Sequence, residues 1–353
     1  MSVLQSLPRN RLTTLAYRDE HQTSWDKYVS QHPEGTVFHT TRWKRVIERE
    51  FGFKAVYLLA ENEGEIRGVL PMFLSSNWVQ GRTIISTPFA VYGGICASDE
   101  VTRIALREAA CRIADEQDVN YLELREAHRP FGDGFQTKEL YVTFEGQLNK
   151  DPEKVMSGFP KGTRYMIRKG QKCGLRSVRD DNQLDTFYEL YARSVWNLGT
   201  PVFSKRFFKI LREELGDAGS ITIILHEGEP VAAAFSITYR DSTTPYYVGS
   251  LPESKQFAPN NFMFWELIRM SCESGLQKFD FGRSKVGTGS HFFKTKWNMV
   301  ERPLPYQFYL VKRKSLPNFS PANPRLKVAT ELWKKVPFSL TKALGPPLVR
   351  LFP

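Results

Sequence analysis

Glu63-Gly64-Glu65-Ile66-Arg67-Gly68-Val69-Leu70 and Glu227-Gly228-Glu229-Pro230-Val231-Ala232-Ala233-Ala234 are two versions of one element. In each, a strand (residues 55–60; residues 221–226) reaches a Glu-Gly turn and returns as an apolar strand. That is a hairpin pattern, with glycine supplying the positive φ of the turn. Later elements repeat in the same order. Tyr92-Gly93-Gly94 is expected to end one strand, and Tyr247-Val248-Gly249 its counterpart.

A helix comes next in each half. Residues 101–117 place Ile104, Ala105, Ala109 and Ile113 near one face, and residues 261–274 do the same with Phe262, Trp265, Ile268 and Cys272. Each helix leads into a short strand, Tyr121-Leu122-Glu123-Leu124-Arg125 or Phe279-Asp280-Phe281-Gly282-Arg283. Upstream, each half opens with two helical segments, 25–31 and Thr41–Phe51 in the first, 183–198 and Lys205–Leu215 in the second. A matched order of this length marks a duplication. Hairpins beside a helical crossover imply a mixed sheet with helices on its faces. The expected fold is therefore α/β, as two tandem modules. We place the first at 1–155, the second at 156–310, and a basic tail at 311–353.

Bulk properties agree. At 353 residues the chain suits two ordinary domains. With 41% hydrophobic and 25% charged residues it has a globular composition. No run approaches the ~18 uncharged residues of a membrane span, and the start has no apolar signal core. A cytoplasmic protein is expected. Cys96, Cys111, Cys173 and Cys272 are widely spaced, with no CxxC pair, so reduced thiols rather than a zinc site or disulfides are expected. Net charge is +11, and residues 302–353 hold ten Lys or Arg against Glu331 alone, 10 − 1 = +9. Such a field favours anionic partners: RNA, phosphorylated precursors or anionic lipid.

Between the modules, Lys161, Arg164, Arg168 and Lys172 fall on one stripe of a helix at 164–172 that Gly174 ends. After the last repeat strand runs Phe281-Gly282-Arg283-Ser284-Lys285-Val286-Gly287-Thr288-Gly289, then Phe292-Phe293-Lys294-Thr295-Lys296-Trp297. Gly287 and Gly289 allow close backbone approach to an anion, and Arg283, Lys285, Lys294 and Lys296 surround the loop with cations. Ligands of open α/β sheets bind at such carboxyl ends of strands. Walker, GxSxG and HExxH motifs are missing. His39, in Phe38-His39-Thr40-Thr41-Arg42-Trp43, stands at a helix start, where a capping-loop role competes with a substrate role. Direct acyl transfer needs only a positioned amine, a polarised carbonyl and a proton route. Backbone amides can supply the second of these.

These segments resemble the FemAB branch of the acetyltransferase-like (GNAT) superfamily. More narrowly, they resemble the FemAB-like proteins associated with the exosortase/PEP-CTERM system of exopolysaccharide producers. The resemblance runs from about Trp25 to Pro347. It is carried by Phe38-His39 with Trp43, Pro71, Pro88 to Gly94 with Tyr92, Leu122 to Arg125, Lys161 to Leu175, Asn197 to Phe203, Phe279 to Gly289, and Phe293-Lys294-x-x-Trp297. It implies a double acetyltransferase-like fold and transfer of an acyl or aminoacyl group to an amine, on a cell-envelope or exopolysaccharide precursor. Aminoacyl-tRNA or acyl-CoA would be the donor, with no bound cofactor or metal. By similarity Lys294 meets substrate phosphate, and the charge pattern adds Arg283 and Lys285. Trp297, Tyr247, Arg164, Arg168, His39, Trp43 and Tyr92 complete the expected substrate contacts. The chain departs from the classical Fem enzymes in having no long heptad arm, since 183–215 is broken at Gly199-Thr200-Pro201. It also lacks the Arg/Gln-x-x-Gly-x-Gly signature for CoA, and Asp99 and Glu100 come after Gly94 instead. The donor stays open. The alternative is a non-catalytic anion-binding or membrane-surface module, using a tail that mixes Leu332, Trp333, Val336, Phe338 and Leu344 with Lys334, Lys335 and Lys342 but is interrupted at Pro337 and Gly345-Pro346-Pro347. Peripheral contact with the inner membrane face would result; duplex DNA is not an expected partner.

Overall fold

The structure is a computed structural model that describes residues 12–127, 130–132, 134–317 and 324–353, with side chains from 328 onward in the last segment. The chain forms two compact units. The first holds the residues up to Glu48, then Gly52–Thr137 and Tyr306–Lys314; the second holds Arg49–Phe51, Lys138–Pro305 and Ser315–Pro353.

In the first unit, Leu12–Ala16, Leu58–Asn62, Glu65–Leu70 and Cys96–Ala97 form a four-stranded antiparallel sheet. A second group of strands runs Lys54–Ala55, Phe73–Asn77, Gly81–Ile85 and Tyr121–Arg125, and Tyr306 to Leu310 pairs with the last of these. The Glu-Gly hairpin is as expected, with Glu63 and Gly64 both at positive φ. Its first strand differs: Ala55 belongs to a short strand, Lys54–Ala55, in the other sheet, and the hairpin strand proper starts at Leu58 and runs on to Asn62. Pro71 explains why the return strand stops at Leu70. It offers no N–H to a ladder, and the chain passes from one sheet to the other before resuming at Phe73.

Helix Glu100–Glu116 starts where Asp99 accepts the Thr102 amide, a side-chain cap. Its buried face is rotated from the expected one. Ala109 is buried as expected and Ile113 packs half-buried against the core, but Thr102, Leu106, Ala110 and Ala114 also face inward, Ala105 is half-buried and Ile104 is 36% exposed. Gly68 decides the rotation: a Cβ there would lie 2.7 Å from Thr102 and 2.9 Å from Leu106, so those two side chains own the closest approach to the sheet. Tyr92-Gly93-Gly94 also departs from expectation. The strand ends at Ile85, and these residues lie in the turn region beyond it.

The second unit keeps the same order without the break. Gly219–His226, Glu229–Tyr239 and Ser242–Ser250 form an antiparallel meander, and Arg176–Arg179 joins its outer edge. Helix Pro259–Glu273 buries Phe262, Trp265, Ile268 and Cys272 as expected, with Met263, Phe264 and Leu267 besides. It then leads to Lys278–Asp280. The basic helix runs Lys161–Lys172 and buries Thr163, Ile167 and Gly170, with Gly174 at φ +74° just beyond it. Gly170 fits because a Cβ there would press on Phe262 at 2.8 Å. The core joins this helix face to Trp265, Phe279, Phe281 and Trp297.

The tail corrects another expectation. Helices Pro324–Lys335 and Phe338–Val349 flank Pro337, and the second continues through Gly345-Pro346-Pro347. Proline normally costs a helix a hydrogen bond and a clash. Here Gly345 seats against the Val202 backbone, whose N and O would each lie 2.9 Å from a Cβ, so packing holds the segment helical. Trp196 Nε1 donates to Val336 O at 3.0 Å, and Lys342 pairs with Glu189 at 3.0 Å. The four cysteines are free thiols.

Candidate functional site

The strand Ser242–Ser250 pairs in parallel with Lys278–Asp280, but only at Ser242 with Lys278 and Thr243 with Phe279. Farther on it keeps its antiparallel partner, through Ser250, but has no further pairing with 278–280. The two strands diverge, so one edge of a central strand is released from the ladder. Backbone N–H and C=O groups on such an edge are strong, ready partners for an entering ligand. Residues alternate cleanly along it, with Thr243, Pro245, Tyr247 and Gly249 buried.

Tyr247 is 6% exposed, and its hydroxyl has no hydrogen-bond partner among the described residues. Its ring lies 5.0 Å from Phe208 and 5.7 Å from Phe203, in an aromatic nest that desolvates the phenol and holds its pKa well above the ordinary value. A buried hydroxyl without a partner is rare enough in native folds to want an explanation, and a ligand atom is one.

Across the gap the backbone makes a bulge. Asp280 pairs with Glu145 and Ser284 with Val142, so residues 281–283 face only 143–144. One extra residue on one strand is a β-bulge, and Gly282 adopts the positive φ, +70°, that such a bulge requires. Asp280, 3% exposed, accepts from Thr143 Oγ1 and from the Gly282 amide at 2.8 Å. The carbonyls of the bulge turn to Lys294, whose Nζ donates to Gly282 O at 2.6 Å and to Arg283 O at 3.2 Å. Lys294 is 6% exposed, and burial pushes its pKa down to about 8, while Asp280 acts the other way. An ammonium has three donors; among the described residues, two go to these carbonyls and one remains.

Arg283 is exposed and stacks on the Tyr141 ring at 4.7 Å, and its charge acts on both Lys294 and Tyr247. Lys285 is half-buried, which lowers its pKa. Gly287 is exposed in the following turn, and Thr288 caps helix Gly289–Lys294, whose first residue is also exposed. Thus Tyr247 and Lys294 each interact with Arg283, and Lys285 pairs in the backbone ladder with Tyr141, on which Arg283 stacks. Trp297 lies behind them with 0% exposure, packed on Phe159, Phe281 and Phe293, so it builds the wall rather than lining it. Arg164 and Arg168 lie on the outward side of helix Lys161–Lys172, and Thr163 Oγ1 ties that helix to Lys296 O.

His39, Trp43 and Tyr92 form a separate constellation in the first unit. Phe38 packs edge-on to both Trp43 and Tyr92. His39 Nε2 lies 3.2 Å from Gly94 O, and Nδ1 lies 3.2 Å from the Thr36 amide. A carbonyl only accepts and an amide only donates, so the proton is assigned to Nε2. Burial lowers the His39 pKa to about 4, which keeps the ring neutral near pH 7. Arg125, 4% exposed, donates to Glu123 at 2.8 Å and to the carbonyls of Thr87 and Ala90 at 2.8 and 3.0 Å. Tyr306 donates to Val91 O, and Glu126 accepts the Ile95 amide at 3.1 Å. Four side chains thus pin the turn from Thr87 to Ile95.

Sequence reasoning missed Asp280, Thr143 and Tyr141 as members of the second-unit site, and Glu126 as a turn anchor. The acid in Phe279-Asp280-Phe281 was a visible signal, because an ionised carboxylate between two buried aromatics needs donors. Thr143 and Tyr141 lie some 140 residues from their partners, where pattern carries no information.

The family model described as Acetyltransferase (GNAT) domain matches residues 157–295, within the second unit. FemX superposes with TM-score 0.69 at 15% identity, covering 85% of this chain and 98% of that one. The C-terminal domain (DUF2156) of a putative lysylphosphatidylglycerol synthetase from Agrobacterium fabrum gives 0.55 at 12% identity, covering 89% and 95%. A tandem GNAT protein from the clavulanic acid biosynthesis pathway gives 0.51 at 11% identity, covering 84% and 98%. No curated protein matches the sequence. The fold is that of tandem acetyltransferase-like modules, each with a mixed sheet flanked by helices. The acetyltransferase family match falls on the second module, which holds the Lys278–Asp280 strand and Lys294.

Proposed function

We propose that this chain is a FemAB-like acyl- or aminoacyl-transferase that works at the parted strands of the second unit. The acceptor is an amine on a cell-envelope or exopolysaccharide precursor, in keeping with the resemblance to the exosortase/PEP-CTERM-associated group, and the reaction takes place in the cytoplasm. The observation that carries this reading is the combination of a released strand edge, an unpartnered buried Tyr247 hydroxyl and a buried Lys294 ammonium beside Arg283. No metal is required by this scheme.

In the reaction, the acceptor nitrogen attacks the donor carbonyl carbon and a C–N bond forms. The tetrahedral oxyanion collapses, the C–O bond of an aminoacyl ester or the C–S bond of a thioester breaks, and the amine proton leaves with the departing group or through water. Outward-facing amides of the strand beyond Thr243 polarise the carbonyl. Arg283, Lys285 and Lys294 hold donor or acceptor phosphate. Aminoacyl-tRNA and acyl-CoA both bring phosphate, so these cations serve either.

The experiment is calorimetric titration of the purified chain with acyl-CoA, aminoacyl-tRNA and nucleotide-sugar precursors in moderate salt. Saturable binding of one donor class, abolished by Lys294→Ala, is the expected result. Salt-sensitive attraction to every polyanion alike, unaffected by that substitution, would replace the enzyme with a binding module.

A further inference from the structure

We propose that the two C-terminal helices form a docking face for an anionic membrane surface, independent of the transferase reading. Helices Pro324–Lys335 and Phe338–Val349 each have an inner and an outer side. The inner side is accounted for: Trp196 bonds Val336 O, Phe338 lies 5.6 Å from Trp196, and Thr341 and Gly345 are buried.

The outer side is apolar where a solvated helix would be polar. Val328 and Leu332, one turn apart, are 60% and 59% exposed. Lys335 continues the same row. Leu340 and Leu344 are each 51% exposed and again one turn apart, with exposed Ala343 and Pro347 beside them and Arg350 at their flank. Phe352 adds a 39% exposed ring just past the second helix. Four exposed aliphatic side chains in two aligned pairs are more than scattered surface residues supply, and such clustering marks an interaction face.

Charge selects the occupant. Residues 324–353 carry six Lys or Arg and one acid, 6 − 1 = +5, and that acid, Glu331, is paired with Lys334 at 2.8 Å. A second copy of this face would bring +5 against +5. An anionic lipid surface complements both properties, taking the leucines into its headgroup boundary and the cations against its charge. Among the described residues no helix is long and apolar enough to cross a membrane, so the contact is with one surface.

The test is flotation of the purified full chain with vesicles of phosphatidylcholine alone and with added phosphatidylglycerol. The expected result is partition onto the anionic vesicles only. Lys335→Glu with Arg350→Glu, and separately Leu332→Ser with Leu344→Ser, should each lower the partition coefficient about tenfold or more. The serine pair is decisive because it leaves net charge untouched. Binding that survives it is non-specific attraction of a basic protein and overturns the proposal. Failure to bind either vesicle also overturns it, as does self-association in sedimentation that the serine pair abolishes. Unchanged thermal unfolding confirms that each variant folds. Should the serine pair unfold, Leu332→Ala with Leu344→Ala, which also leaves net charge untouched, takes its place. Donor binding in solution should be equal in all variants, which separates this result from the fate of the transferase reading.

Discussion

The two units share one device and use it oppositely. In each, a strand upstream of the crossover helix pairs in parallel with the strand after it through only two residue pairs, Ile84–Ile85 with Leu122–Glu123 and Ser242–Thr243 with Lys278–Phe279. In the first unit, the turn beyond that point is tied to His39, Arg125, Glu126 and Tyr306, so its polar groups satisfy one another. In the second, a glycine bulge and Lys294 stand there, and Tyr247 keeps a buried hydroxyl without a partner among the described residues. Duplication supplies the same opening twice. Side chains decide whether it becomes a packed corner or a place for a ligand.

The hardest blow to the first unit should come from Arg125→Leu. It leaves Glu123 and two carbonyls without their buried cation, and breaking such a pair costs about 3–5 kcal/mol. Urea unfolding should show that loss; a change below about 1 kcal/mol would mean the turn does not depend on it. His39 gives a pH-dependent counterpart. Its pKa falls from the ordinary 6.5 to about 4 on folding, so the unfolded chain binds more protons between those values. Stability should therefore drop as pH falls from about 6.5 to 4, by on the order of 3 kcal/mol. His39→Gln should flatten that slope.

In the second unit, Lys294→Met should lower the transfer rate about a hundredfold, the size of losing one preorganised donor. Its pKa of about 8 also predicts a basic limb. If the ammonium is the working form, kcat/KM falls as pH rises through about 8, and Lys294→Arg moves that limb upward. Stability has the opposite slope there. The folded pKa lies below the unfolded one, so stability rises between about 8 and 10.5, and Lys294→Met removes the rise. The smallest effect is expected for Gly282→Ala. The new Cβ would meet Thr244 at an ordinary 3.4 Å, so the cost is that of positive φ alone, about 1 kcal/mol. A larger loss of activity than of stability would show that the bulge aims the carbonyls that hold Lys294.

Much of the fold was legible because its signals are local. The Glu-Gly hairpins, the Thr41–Phe51 and Lys205–Leu215 helices, and the inward face of Pro259–Glu273 come from turn chemistry and period alone. The helix Glu100–Glu116 shows the limit. Its length was right, but alanines and isoleucines made two faces look alike, and the fit of Thr102 and Leu106 over Gly68 chose between them. Of the site, Arg283, Lys285 and Lys294 stood out in sequence as cations around one loop, and Tyr247 by its position in the repeat. That Tyr247 and Asp280 join these cations did not, because it depends on where two strands part.

By itself, then, the sequence determined the duplication, the succession of elements, the cationic glycine loop and the basic tail, since each is written in neighbouring residues. Tertiary structure alone decided that Pro71 passes the chain between sheets, that residues 281–283 bulge, and that Gly345 seats a proline-bearing helix on Val202. It also decided that Lys294 titrates near 8, because a pKa sums the desolvation and charges of groups far apart in the chain, and no local pattern contains that sum.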